Sequence, residues 1–217
     1  MDDITTATSA TPSIGAGSAP RGDWDPLDDL WRAAAHVLRT RKNDIHTPLS
    51  FYFAELLLDS YPEADALIVR TSILLHDSGW SAIDEERIFA EGFSGDWKTA
   101  DVRYLHEQEG CRIARQLLPG LGYDPQAIDR VTTIIDGHDT RDFAKSVEDE
   151  LVRDADRLWR FTPTGIAIAS GWFKKTPTEY YEQLLERTFP ELITPEARAI
   201  ASAELERSHE LLKLHVL

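Results

Sequence analysis

The chain is expected to be all-α, a bundle of seven to nine helices, on three observations from its sequence. Apolar residues recur at steps of three and four, the repeat of an amphipathic helix. Gly79, the Gly92–Gly95 region, Pro119-Gly120 with Gly122, and Pro163 to Gly165 punctuate those stretches. No segment alternates apolar and polar residues long enough to form a half-buried strand, and no internal repeat is present.

In chain order, Met1 to Gly22 is rich in Ser, Thr, Ala and Gly and has no apolar run, so residues 1–22 are expected to be a disordered leader. It lacks the basic and hydrophobic regions of a signal peptide. Residues 23–217 are expected to form a single domain. Its helical stripes begin with Leu27–Leu38, Leu49–Leu58 and Ala64–Leu75, the third introduced by Pro62-Glu63. Gly79 and the Gly92–Gly95 region then interrupt the helical pattern. The 20-odd residues from Trp80 to Ala100 read as a long connection of the kind that serves as a lid or substrate loop. Val102–Leu118 is the next stripe, closed by Pro119-Gly120 and Gly122, and Ile128–Ile135 comes after it. A helix carries Val152–Leu158, and Pro163 to Gly165 separates it from C-terminal helices over 164–217. Those include Tyr180–Leu185, with starts at Thr176-Pro177 and Thr194-Pro195 where proline suits the first turn.

Composition narrows the function classes. With 217 residues, 42% hydrophobic and 28% charged, the chain can bury a real core. A net charge of −15 opposes phosphate backbones and anionic lipid, so neither nucleic acid nor membrane is an expected partner. No stretch approaches the roughly 18 apolar residues of a membrane span. The lone cysteine, Cys111, excludes an internal disulfide, reads as a small core residue and fits a cytoplasmic location.

The chemistry lies in His46, the adjacent pair His76-Asp77, His106, His138 and Asp156. A carboxylate behind the apolar run Ile73-Leu74-Leu75 must be bonded or bound to metal, because an unpaired buried charge costs several kcal/mol. At a helix C-terminus, His76 and Asp77 can turn towards one point, the aspartate bridging two ions and the histidine binding one. Nitrogen and oxygen ligands without thiolates favour iron, manganese or similar metals over structural zinc. Glu107, Asp136, Asp139 and Asp154 are candidate partners for the second ring nitrogens of the ligands. His36, His209 and His215 are assigned to helix surfaces.

This set resembles the HD-domain superfamily, all-helical metalloproteins, over Ile45 to Phe161. The pieces are Ile45-His46-Thr47, Leu74-Leu75-His76-Asp77-Ser78-Gly79, Leu105-His106-Glu107, Asp136-Gly137-His138-Asp139 and Asp154-Ala155-Asp156-Arg157-Leu158. The resemblance selects Asp156 over Asp154 as the last ligand. It implies one ion on His46, His76 and Asp156, another on His106 and His138, and Asp77 bridging. Two classes share the six ligands: phosphohydrolases acting on nucleotides or other phosphate esters, and mixed-valence diiron oxygenases.

The Leu105–Gly110 stretch, the Leu-Gly-Tyr turn at 121–123 and Ile135-Asp136-Gly137-His138 look closest to the oxygenases that cleave hydroxyalkylphosphonates. The implied cofactors are two iron ions, Fe2+/Fe3+, with O2 as co-substrate. The implied small-molecule substrate is a 1-hydroxyalkylphosphonate, split into phosphate and a carboxylate. Arg153, three residues before Asp156, is where such enzymes grip the phosphonate, a role its planar fork suits. The chain departs from the aminophosphonate members. His36 and Arg39 replace a tyrosine and a glutamate, and Asp142 replaces a lysine for which Arg141 is the expected substitute. His76-Asp77-Ser78-Gly79-Trp80 with Asp84-Glu85 looks nearer the trimethylamino-substituted type. Trp80, Trp97, Trp159, Phe161 and Trp172 are therefore candidates for an aromatic cage around a quaternary ammonium, Trp80 and Trp159 foremost. Lys98, Arg103, Lys174 and Lys175 are further candidate anion contacts.

Overall fold

The computed structural model describes residues 26–93 and 100–216. The expected leader lies outside them, as do Trp97 and Lys98. Among the described residues there are ten α-helices and no strand, so the all-α expectation holds with a slightly higher helix count. They are α1 (Pro26–Ala34), α2 (Asn43–Leu58), α3 (Ala66–Leu75), α4 (Glu85–Glu91), α5 (Asp101–Leu117), α6 (Pro125–Ile135), α7 (Val147–Leu158), α8 (Pro163–Trp172), α9 (Pro177–Gln183) and α10 (Pro195–Leu211).

Most starts are fixed by a side-chain oxygen that takes the first free amides. Asp65, Asp84, Asp124, Ser146, Thr162, Thr176 and Thr194 do this for α3, α4, α6, α7, α8, α9 and α10. Thr176 and Glu179 form a reciprocal capping box. Proline opens α6, α8, α9 and α10, as its fixed φ and missing N–H favour. The expected start at Pro62-Glu63 is corrected to Ala66, because Asp65 accepts from the amides of Leu67 and Ile68. Of the expected long connection, residues 94–99 lie outside those described, and the part before them is structured. A 3-10 turn at Ser78–Ala82 and α4 occupy it, and Trp80, Ile88, Phe93 and Val102 form a small apolar cluster of their own.

The main core places the site. Helix α2 packs along α3 and α7, and α3 packs on α6 and α7, so three helices converge where α3 ends. The Ser78–Ala82 turn lies against α5. There Gly79 allows the closest approach, since a Cβ would collide with the carbonyl oxygen of His106 and crowd the Gly110 amide. That contact brings the segment after His76-Asp77 beside His106.

Candidate metal centre

Two of the six candidate ligands are aimed by the same local device. His76 caps the end of α3 and its Nδ1 donates to the Ile73 carbonyl at 2.7 Å. His138 follows the end of α6 and its Nδ1 donates to the Ile135 carbonyl at 2.9 Å. In each case a histidine three residues after an isoleucine satisfies a helix-terminal carbonyl. The Nδ1 bond turns Nε2 inward, towards the other candidate ligands. His46 projects from the first turns of α2, His106 from α5 and Asp156 from the last turn of α7.

The six are buried together. His46 Nε2 and His76 Nε2 stand 3.2 Å apart, and Asp156 Oδ1 lies 3.0 Å from the first and 3.3 Å from the second. His106 Nε2 and His138 Nε2 are 3.4 Å apart. Ligands on one ion at about 2.1 Å lie about 3.0–3.4 Å from one another, so both groups suit an ion. Asp77 sits between them, its Oδ2 3.6 Å from His76 Nε2 and its Oδ1 3.6 and 3.7 Å from the Nε2 atoms of His106 and His138. Asp139, expected as a partner only, brings Oδ2 to 3.8 Å from His106 Nε2 and is itself placed to bind.

The electrostatics favour cations here. Burial lowers His46 to about 4 and His106 to about 3, against the pull of nearby carboxylates, so both imidazoles are neutral with lone pairs available. Burial also acts to lower His138, but Asp77, Asp139 and Glu107 outweigh it and raise that imidazole to about 10. Burial pushes Asp77 and Asp156 up, yet Arg41, His76 and His138 hold Asp77 well below the usual range, and Arg160, His46 and His76 do so for Asp156. Asp77 and Asp156 are buried and Asp139 is half-buried, and divalent ions on the imidazoles would add to the positive charge that Arg41, Arg160 and Arg103 supply.

Of the neighbours, Glu107 was expected as a partner and Arg103 as an anion contact, whereas Arg41 was not legible in the sequence. Arg41, 3% exposed, donates from Nη2 to Asp77 Oδ2 at 2.8 Å and lies over the rings of Trp80 and Trp172 at 4.8 and 4.9 Å. It is held there by consecutive left-handed residues, Arg41 and Lys42 with φ of 56° and 59°, a strained arrangement for side chains with a Cβ. Arg103 pairs with Asp139 at 2.5 Å. Glu107 accepts from the Asp139 and Thr140 amides and from the Thr140 hydroxyl, which fixes the turn holding His138.

Other expected residues sit elsewhere than anticipated. Trp80 and Trp159 are fully buried behind ligands rather than lining an open cage. Trp80 stacks on His106 at 4.0 Å and donates from Nε1 to Asp77 Oδ1 at 2.8 Å, and Trp159 stacks on His46 at 4.6 Å. The aromatic space beside Trp80 and Trp172 already holds the Arg41 cation, and Phe161 packs in the core against Phe189. Asp154 points away from the ligands to the start of α10, and Asp136 is exposed. His36 and His215 are exposed and His209 half-buried, near their expected surface positions.

A cleft of about 490 Å³ opens beside the ligands, and Asp139 and Asp156 form part of its wall. Arg141 and Arg153 also line it, Arg141 with all three guanidinium nitrogens engaged and Arg153 with two. Arg153 donates from Nε to the His138 carbonyl at 3.1 Å and from Nη2 to the Arg141 carbonyl. Arg141 donates to the carbonyls of Phe143, Thr133 and Asp136 and to Asp149.

The HD domain family model matches residues 43–160. Solved structures share the fold. A protein described as a predicted HD superfamily hydrolase, from an uncultured Thermotogales bacterium, is 20% identical with a TM-score of 0.56, over 86% of this chain and 89% of that one. YpgQ of Bacillus subtilis is 21% identical with a TM-score of 0.59, over 87% and 90%. A second YpgQ structure, in complex with ADP, is 22% identical with the same TM-score, over 87% and 92%. No curated protein matches the chain.

Proposed function

The chain belongs to the HD domain family, and from that premise we propose that it is a metal-dependent phosphohydrolase acting on a small phosphate ester of the nucleotide class. The observation that carries this reading is the shared wall: Asp156, grouped with His46 and His76, also lines the arginine-bearing cleft. A phosphoryl group in that cleft lies beside the ligand set. The ADP complex of YpgQ, a protein of the same fold, supports the nucleotide class.

His46, His76, Asp77 and Asp156 would hold one ion, and His106 and His138 a second, with Asp77 and Asp139 in reach of it. When bound, such ions polarise a phosphoryl group and make water a stronger acid. The protein's own residues prepare the site in advance. Arg41 and Trp80 fix the two oxygens of Asp77, and Arg103 fixes Asp139. Trp80 and Trp159 lie flat on two imidazoles and keep water from their outer faces. Ligands oriented this way need no rearrangement when substrate arrives.

A second reading, the diiron oxygenase, uses the same two ligand groups, including the His106–His138 pair at 3.4 Å. In that reading the ions are Fe2+/Fe3+, O2 is the co-substrate, and a 1-hydroxyalkylphosphonate held by Arg153 and Arg141 loses its carbon–phosphorus bond. Because Arg41 occupies the aromatic space beside Trp80 and Trp172, this reading has no cage for a trimethylammonium group there.

One paired experiment separates the two. Manganese-loaded protein is given nucleotides under argon, and iron-loaded protein is given hydroxyalkylphosphonates with and without oxygen. Phosphate release from nucleotides at the same rate without oxygen is the expected result. Release only from phosphonate, and only with iron and oxygen, would overturn the hydrolase in favour of the oxygenase.

A further inference from the structure

We propose that Arg160 is the residue that grips the substrate's phosphoryl oxygens in the cleft, which places the anion subsite beside Asp156. The identity of the ligand rests on the hydrolase reading; the position of the cation does not. Arg160 lies in the 3-10 turn Trp159–Phe161 at the end of α7, and it lines the cleft.

Four arginines line that cleft: Arg141, Arg153, Arg157 and Arg160. Three of them donate to backbone carbonyls. Besides Arg141 and Arg153, Arg157 gives Nη1 to the Arg153 carbonyl at 2.8 Å. Among the described residues, Arg160 has no hydrogen bond to a carbonyl. Its ion pair there is Nη2 to Asp156 Oδ2 at 3.8 Å, longer than the roughly 2.7–2.9 Å of a charge-assisted bond. The Arg160 side chain is 14% exposed and lines the cleft.

Its backbone is also fixed. Gly165, in the first turn of α8, sits so close that a Cβ would collide with the Trp159 carbonyl and crowd the Arg160 Cα at 2.8 Å. Trp159, the preceding residue, stacks on His46. Arg160 is thus tied to the ligand helices through its neighbours while its fork keeps spare donors. Planar donors suit the tetrahedral oxygens of a phosphoryl group. An anion held there lies next to Asp156 and hence to the first ligand group.

The test uses manganese-loaded full-length protein and inorganic phosphate as probe, with affinity measured by calorimetry at matched metal content. Arg160→Gln is expected to weaken phosphate about 10- to 100-fold, with wild-type metal content and melting temperature. Arg160→Lys should recover part of that loss. Arg153→Gln should lower the melting temperature, because two carbonyls lose their donor, with phosphate affinity near wild type. Wild-type affinity in Arg160→Gln, or the loss appearing in Arg153→Gln instead, would overturn the assignment. So would metal loss from both Arg160 variants, since Arg160 would then serve the ligand set. If the wild type fails to bind phosphate the subsite fails too, whereas the hydrolase reading falls only if the nucleotide assay is silent.

Discussion

Asp154 and Asp156 stand two residues apart on α7 with opposite surroundings, and substitutions should separate them cleanly. Asp154 accepts from the Ile193 amide at 2.8 Å, the Thr194 amide at 2.8 Å and the Thr194 hydroxyl at 2.7 Å. Thr194 in turn caps α10, so this carboxylate clamps the last helix onto the bundle. Hydrogen bonds to a charged group are each worth about 1.5–3 kcal/mol, which would sum to roughly 4.5–9 kcal/mol. Two effects reduce that figure. Burial outweighs the three donors and raises the Asp154 carboxyl above its ordinary value, so desolvation takes back part of the gain. Ile193 is half-buried, so its freed amide regains water. Asp154→Ala should therefore cost about 3 kcal/mol, which for a chain of this size lowers the melting temperature by about 6–12 °C. Metal content per folded molecule should not change. Asp156→Asn should instead lose metal per folded molecule, beyond whatever its lost pairing with Arg160, His46 and His76 costs the metal-free protein. Circular dichroism melts in chelator, with metal analysis of the loaded proteins, read both arms. An Asp154→Ala protein that melts like wild type but loses metal would refute the assignment of the two carboxylates.

The same geometry sets three further outcomes. Gly79→Ala forces a Cβ into the His106 carbonyl, so it should cost about 3 kcal/mol or more and weaken metal binding at His106, read by melts and metal analysis. Cys111 is pushed up to about 11, by burial first and Asp136 next, so native protein should resist iodoacetamide at pH 8 and react only on unfolding. Metal-free protein should be most stable near pH 6.5. Burial holds His46 at about 4 and His106 at about 3, so the unfolded chain takes up protons first as pH falls, and stability drops on the acid side. His138 is raised to about 10, so its contribution is full below about 6.5 and is lost as pH rises towards 10. Melting temperatures in chelator across pH 5–10 test both limbs, and an alkaline limb that survives in His138→Gln would show that His138 is not its source.

The features legible in the sequence were those that local chemistry decides. The helices arise from the apolar repeat, and the ligand histidines stand near helix ends, where polar side chains can meet. The Ile73-to-His76 and Ile135-to-His138 spacings carried a readable signal, since a histidine three residues past the helix's last carbonyls can donate to one. The Asp77-to-Trp80 spacing was readable in the same way. Arg41 was not, because its placement needs two left-handed residues in succession and a carboxylate 36 positions away. The arginines posed a different difficulty. Arg153, Arg157 and Arg160 are equivalent as letters, and only the carbonyls that engage the first two distinguish the third. Net charge bears on nonspecific contacts and is silent about this cleft. A chain of net charge −15 can still receive an anion where four arginines converge, since affinity at one point depends on local donors rather than on the sum.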